Sequence, residues 1–218
     1  MSVETILSGF FFWFIITTNI LSNKFGYKTF GDMDSDAELQ KISKDPTKFK
    51  VSIVLILIDH LSIISLAITL FIAFSSYNII LGIVWCISRT GEGLIQIYDK
   101  KNYWGLLNLA KKYSGAIDVE KDELIDSGRS IFKTKSTIFA FAQLLFSIGT
   151  LAYSIMFATS GVVPAIIGWF GIVASILYGL GNGIFLIKPD VKGVWNLGGL
   201  LILLFEIVLG GWLLFFIQ

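Results

Sequence analysis

The chain reads as an all-α protein, a single bundle of six membrane-spanning helices over residues 1–218. Three observations predict this. Hydrophobic residues make up 55% of the sequence and charged residues only 15%, against about 25% charged in a soluble domain. Six stretches approach or exceed the roughly 20 apolar residues that cross a hydrocarbon core of about 30 Å. Lysine and arginine gather in the long segments between those stretches and avoid the short ones.

The spans are expected at residues 5–21, 51–74, 77–97, 136–158, 162–187 and 194–217. Helices are the natural solution because they satisfy their own backbone groups where lipid cannot. The first span, with its FFFWF core, is short and aromatic. Spans two and three are separated only by the polar turn SSY, and spans four and five by TSG, so both pairs should form antiparallel hairpins. The two long loops, 22–50 and 98–135, are expected to lie at the membrane periphery. In the first of them, SDAELQKI opens with a capping-box pattern from Ser35 to Glu38 and predicts a short helix. In the second, NYWGLLNLAKKY mixes aromatics and leucines with Lys111 and Lys112. It reads either as a segment resting on anionic lipid or as an extension of span three.

Charge supplies the orientation. Six basic residues precede span two, eight lie between spans three and four, and Lys188 and Lys192 precede span six; the seventeenth, Arg89, is inside a span. The positive-inside rule then predicts a cell-membrane protein with its long loops in the cytoplasm and both termini outside. The expected partners are the bilayer, a small ligand or ion held in the bundle, and a second copy of the chain. A net charge of +1 offers no case for nucleic acid. One cysteine, Cys86, excludes an internal disulfide and a cysteine metal cluster. No cleaved leader is expected, since TILSGFFFWF lacks both a basic flank and an A-x-A site.

A charged side chain at the centre of a membrane helix costs roughly 2.5–3.5 kcal/mol on insertion scales, so such groups turn inward and find partners. Asp59 lies eight residues into span two and Arg89 eight residues before the end of span three. At about 1.5 Å per residue both sit roughly 12 Å in, on adjacent antiparallel helices, which predicts an Asp59–Arg89 ion pair. Glu92 shares the Arg89 face. Gln143 and Tyr178 fall at a comparable depth, Asn182 a turn shallower and Glu206 deeper. His60 is turned about 100° from Asp59 and is expected to reach a neighbouring helix. The candidate binding residues are therefore Asp59, His60, Arg89, Glu92, Gln143, Tyr178, Asn182 and Glu206. The remaining Ser, Thr and Gly positions form one small or polar face per helix and read as packing. Three carboxylates against one arginine leave an excess of two negative charges. A bound cation, a proton or a protonated His60 would relieve it.

No H-E-x-x-H, G-x-S-x-G or phosphate-binding loop is present. A lone imidazole beside one aspartate does not make a metal site, and the sequence names no cofactor. The readings that fit are binding or transport of a proton, cation or small amphiphile; an intramembrane enzyme acting on a lipid-like substrate, with His60 or a carboxyl as base; and an accessory or assembly protein whose polar groups only fix packing.

Three stretches carry a resemblance. DAELQKISKDPTKFKVSIVLILIDHLSIISLAITL resembles a loop helix entering span two. SGVVPAIIGWFGIVASILYG is similar to a Ser-Gly-x-x-Pro turn before a Gly-rich span. LLILLFEIVLGGWLL is similar to a closing span with an internal glutamate, here Glu206. Together they resemble the prokaryotic six-span membrane family known as the domain of unknown function 4386 family. The resemblance covers nearly the whole chain, implies a six-helix fold and carries no activity with it. The family's pattern as it bears on charge places basic residues at the termini and in the short turns; this chain places them in the other loops.

Overall fold

The structure, a computed structural model, describes residues 2–28 and 34–216. The described residues form eight helices and no strand: α1 Val3–Lys24, α2 Ser35–Lys44, α3 Pro46–Phe74, α4 Ile79–Tyr98, α5 Lys100–Tyr113, α6 Asp118–Ser160, α7 Ala165–Ile187 and α8 Gly193–Phe215. Six helices are long and apolar enough to cross a membrane, namely α1, α3, α4 with its continuation α5, α6, α7 and α8. Residues 29–33 of the first long loop and residue 217 of the sixth predicted span lie outside the described residues.

Several boundary shifts have a local cause. The second span begins at Pro46, whose fixed φ suits a first turn, with the Asp45 carboxylate accepting from the Lys48 N–H at 2.9 Å. The third starts two residues later than predicted, because Asn78 caps α4 by accepting from the Leu81 N–H at 3.1 Å and leaves Tyr77 in the turn. The fifth starts at Ala165 because Gly161, at φ 72°, closes α6 in the left-handed conformation and Pro164 precedes the new helix. The fourth span is part of a 43-residue helix, roughly 64 Å long at 1.5 Å per residue, so its first half stands clear of the hydrocarbon. The Ser35 capping box is not what starts α2. Asp34 is the cap, accepting from the Asp36 N–H at 3.0 Å, and Glu38 pairs instead with Lys28.

The hairpins make consecutive spans neighbours, and the order closes into a ring: α1 against α3, α3 against α4, α4 against α6, α6 against α7, α7 against α8, and α8 back on α1. Several contacts in the ring depend on glycine, two of them on each side of α8. A Cβ on Gly198 of α8 would lie 2.6 Å from the Tyr178 Cα of α7, and one on Gly9 of α1 would lie 2.9 Å from the Leu214 backbone nitrogen of α8. Small residues of this kind let membrane helices approach until their backbones touch.

Inside the ring two apolar clusters form. One, nearest the short turns, contains Phe12, Phe74, Trp85, Tyr153, Phe157, Phe205 and Leu213. The other, nearest the long loops, contains Tyr27, Leu39, Ile42, Phe49, Ile53, Tyr103, Leu106 and Phe132. The second is built by the loops themselves. The helix α5 is separate from α4, broken at Asp99, and it buries Tyr103, Leu106, Leu107 and Ala110 against α2, α3 and α6. The segment does continue span three past the turn at Asp99, as one of the two sequence readings has it; its apolar stripe, however, faces protein and not lipid.

Replacing Gly198 with alanine should lower stability by about 1–3 kcal/mol, the range for overpacked cores. The check is a thermal-unfolding series in detergent, in which Gly211→Ala, where a Cβ meets open space, should leave the midpoint unchanged.

Candidate functional site

Between the two apolar clusters lies a cavity of about 300 Å³. Its position is set by the register of polar residues along each helix. On α3, Phe49 and Ile53 belong to the long-loop cluster, Asp59, His60 and Ile63 line the cavity, and Leu66 and Leu70 belong to the other cluster. The same sequence runs along α6, from Phe132 through Phe139 and Gln143 to Tyr153.

Seven of the eight candidate residues line this cavity: Asp59, His60, Arg89, Glu92, Gln143, Tyr178 and Glu206. Asn182 does not. Its amide donates to the Tyr178 carbonyl at 2.8 Å, and its carbonyl accepts from the Trp195 indole at 3.1 Å, so it ties α7 to α8.

The expected Asp59–Arg89 ion pair is not formed. Arg89 Nη1 donates instead to Glu92 Oε2 at 2.6 Å. Residues three apart on one helix meet without any demand on how two helices are positioned, and Arg89 and Glu92 are both nearly inaccessible, at 1% and 2% exposed. Aromatic faces complete the guanidinium's surroundings, with Phe146 at 4.3 Å and Trp85 at 5.3 Å from ring centroid to Cζ. Such contacts gain strength out of water.

Asp59 is held from α1. The Thr18 hydroxyl lies 2.8 Å from Asp59 Oδ1 and 2.9 Å from the Phe14 carbonyl of its own helix. With one proton to donate, it serves one of them at a time. The other Asp59 oxygen is 3.4 Å from His60 Nδ1. No hydrogen bond is made across that approach, and both ring nitrogens of His60 are buried without a partner. His60 is among the residues lining the cavity, and its ring makes no hydrogen bond to a neighbouring helix. Glu206 reaches in from α8 and joins none of the ion pairs among the described residues. No three of these acidic and imidazole groups converge closely enough to hold a metal ion, among the described residues.

The long-loop end of the cavity is closed by Tyr27. Its ring lines the cavity and stacks on Tyr103 at 4.7 Å, while its hydroxyl accepts from Lys100 Nζ at 3.1 Å. Burial raises the Tyr27 phenol above its ordinary value, so it stays protonated. Lys135 Nζ sits 3.5 Å from the Tyr103 ring centroid and donates to the Lys28 carbonyl at 3.2 Å.

Sequence reasoning missed Thr18, Asn19, Tyr27 and Gln96 as members of this site. Gln96 shares the Arg89 stripe, and its signal was present. Thr18 and Asn19 belong to TTN, a polar interruption in an otherwise apolar first span, which signals an inward face.

The family model described as Domain of unknown function (DUF4386) matches residues 7–216. The chain belongs to this family. No curated protein and no solved structure matches it. In this DUF4386 member the matched region takes in five of the six spans whole, all but the first turn of α1, and every residue of the cavity.

Removing one half of a buried pair leaves the other charge uncompensated, at a cost of about 3–5 kcal/mol. Glu92→Leu should therefore destabilise strongly, and Arg89→Met with Glu92→Leu should recover most of the loss. Unfolding midpoints for the two single variants and the double variant test this. Additive losses would show that the two residues do not act as a pair.

Proposed function

We propose that this protein binds, and in the membrane transports, a small cation or cationic amphiphile in the cavity between its helices. The observation that carries this reading is the cavity's charge. Asp59, Glu92 and Glu206 project from three different helices toward a space where the guanidinium of Arg89 is already engaged by Glu92. A cationic group placed there would relieve repulsion among the carboxylates in a medium of low dielectric. Isoleucines from α1 and α3, with Phe139 and Phe146, supply apolar wall on either side. At about 300 Å³ the cavity lies at the small end of ligand pockets, which run from about 300 to 1,000 Å³. An open chamber also argues against polar groups that serve packing alone. The concentration of lysine and arginine in the long loops supports a placement in the cell membrane with those loops in the cytoplasm.

The test is calorimetric titration of the protein in nanodiscs with octyltrimethylammonium, and with octanesulfonate as the anionic match. The cation should bind and the anion should not. Glu206→Gln should weaken the cation at least tenfold, and Asp59→Asn should weaken it as well. Equal affinity for the two probes, or affinity indifferent to both substitutions, would rule the reading out.

A second reading has one specific observation in its favour. His60, beside Asp59 and with both ring nitrogens unpartnered, is arranged as a general base would be. Incubation of wild type and His60→Gln with a membrane lipid extract separates the readings, since only an enzyme would yield a product that the variant fails to make.

A further inference from the structure

We infer that the ligand reaches the cavity sideways, from the hydrocarbon through a gap between α1 and α8, so that the natural substrate is a single-chain amphiphile dissolved in the membrane and not an ion arriving from water. This inference rests on the proposed binding role of the cavity and adds a route and a chemical class to it.

The cavity's walls differ in exposure. Its residues on α3 and α4 are sealed; Asp59, His60, Arg89 and Glu92 are all buried. Its long-loop end is closed by Tyr27, 1% exposed, which is fixed in place by the Tyr103 stack and Lys100. Its short-turn end is closed by the aromatic cluster around Tyr153 and Phe205. The most exposed residues of the lining are on α1 and α8, where Ile20 is 52% and Leu203 is 40% exposed; Phe139 on α6 is half-buried. Glu206, one turn from Leu203, is itself only half-buried.

The geometry of this helix pair accommodates the gap. The contact between α1 and α8 is made near the short turns, where Gly9 meets Leu214 and Gly210 meets Phe12. Farther along, α8 is drawn toward α7 by Gly198 against Tyr178 and by Gly181 against Trp195. With α8 held against α1 near one end and against α7 near the other, the cavity reaches between them and is lined by both helices at their middle turns. The lining along this side is Ile16, Asn19 and Ile20 on α1 and Gly199 and Leu203 on α8, apolar but for the Asn19 amide. A largely apolar rim leading to a carboxylate suits a molecule with an alkyl chain and a cationic head. A hydrated ion would have to shed its water against hydrocarbon to follow the same path.

The experiment reads access to a cysteine on the sealed wall. In a Cys86→Ala background, Ile63→Cys places a thiol in the cavity on α3, opposite the gap. The protein is reconstituted in phosphatidylcholine vesicles and exposed to N-octylmaleimide, which partitions into the bilayer, or to a sulfonated methanethiosulfonate added to both aqueous sides. The octyl reagent should label at least tenfold faster than the reaction in a Leu203→Trp variant of the same protein, and the sulfonated reagent should not label. Ile202→Cys serves as a second reporter if the first variant fails to fold. Labelling by the sulfonated reagent, octyl labelling indifferent to Leu203→Trp, or no labelling at all would overturn the lateral route. None of these outcomes depends on cation affinity, so the route can fail while the binding reading stands, and the reverse.

Discussion

Ionic side chains inside hydrocarbon must be enclosed, and that constraint organises this molecule. Each such residue forces its helix to turn one face inward, and with charges on α3, α4 and α8 the inward faces converge only if the helices close into a ring. The ring then has too little apolar material to fill its centre everywhere. Aromatic side chains fill it toward the short turns, and the folded long loops fill it at the other end. The polar chamber is what remains between the two fillings.

The loops thus have a structural task that their composition alone conceals. By burying Tyr103 and its neighbours against α2, α3 and α6, α5 supplies a floor on which Tyr27 can stack. Two lysines, Lys100 and Lys135, point their ammonium groups at the faces of these tyrosines rather than into water. Cation–π contact offsets part of the desolvation those ammoniums suffer, and the bond from Lys100 to the Tyr27 hydroxyl couples the floor to the chamber. A change in this cap would be felt at the cavity through Tyr27, the residue common to both.

Much of the architecture was legible because hydrophobic length is a strong signal. Six apolar runs, two short polar turns and the helix in the first long loop all appear, with edges moved by capping residues such as Asn78 and Asp34 that hydropathy does not weigh. Helix rise also sets Asp59, Arg89 and Glu92 at similar heights, and they line one cavity together with Glu206, which it sets deeper. It failed on pairing. Helix rise fixes height but leaves rotation about each axis open, so Asp59 and Arg89 could be placed level without being aimed at one another. The local i, i+3 partner Glu92 then captured Arg89, and α1 supplied Thr18 to Asp59. Asn182 illustrates the same limit from the other side, for it lies in the α7–α8 seam and not in the chamber lining.

The polar groups that serve packing can be recognised by how completely they are paired. Asn182 uses both its donor and its acceptor, and Ser8 meets Thr69 across α1 and α3 at 3.0 Å. His60 has neither ring nitrogen engaged, and Glu206 joins no ion pair among the described residues. Replacing a buried ionic group by a well-packed apolar one is often neutral or stabilising, so unpaired ionisable groups bring a fold no advantage in stability. A membrane bundle that needed only register could have used more pairs like Asn182 and Trp195. The hydroxyls of Thr150, Tyr153 and Ser154 are buried without partners too, outside the chamber lining, so incomplete pairing alone does not mark the chamber; what sets it apart is that His60 and Glu206, an imidazole and a carboxyl, face one space.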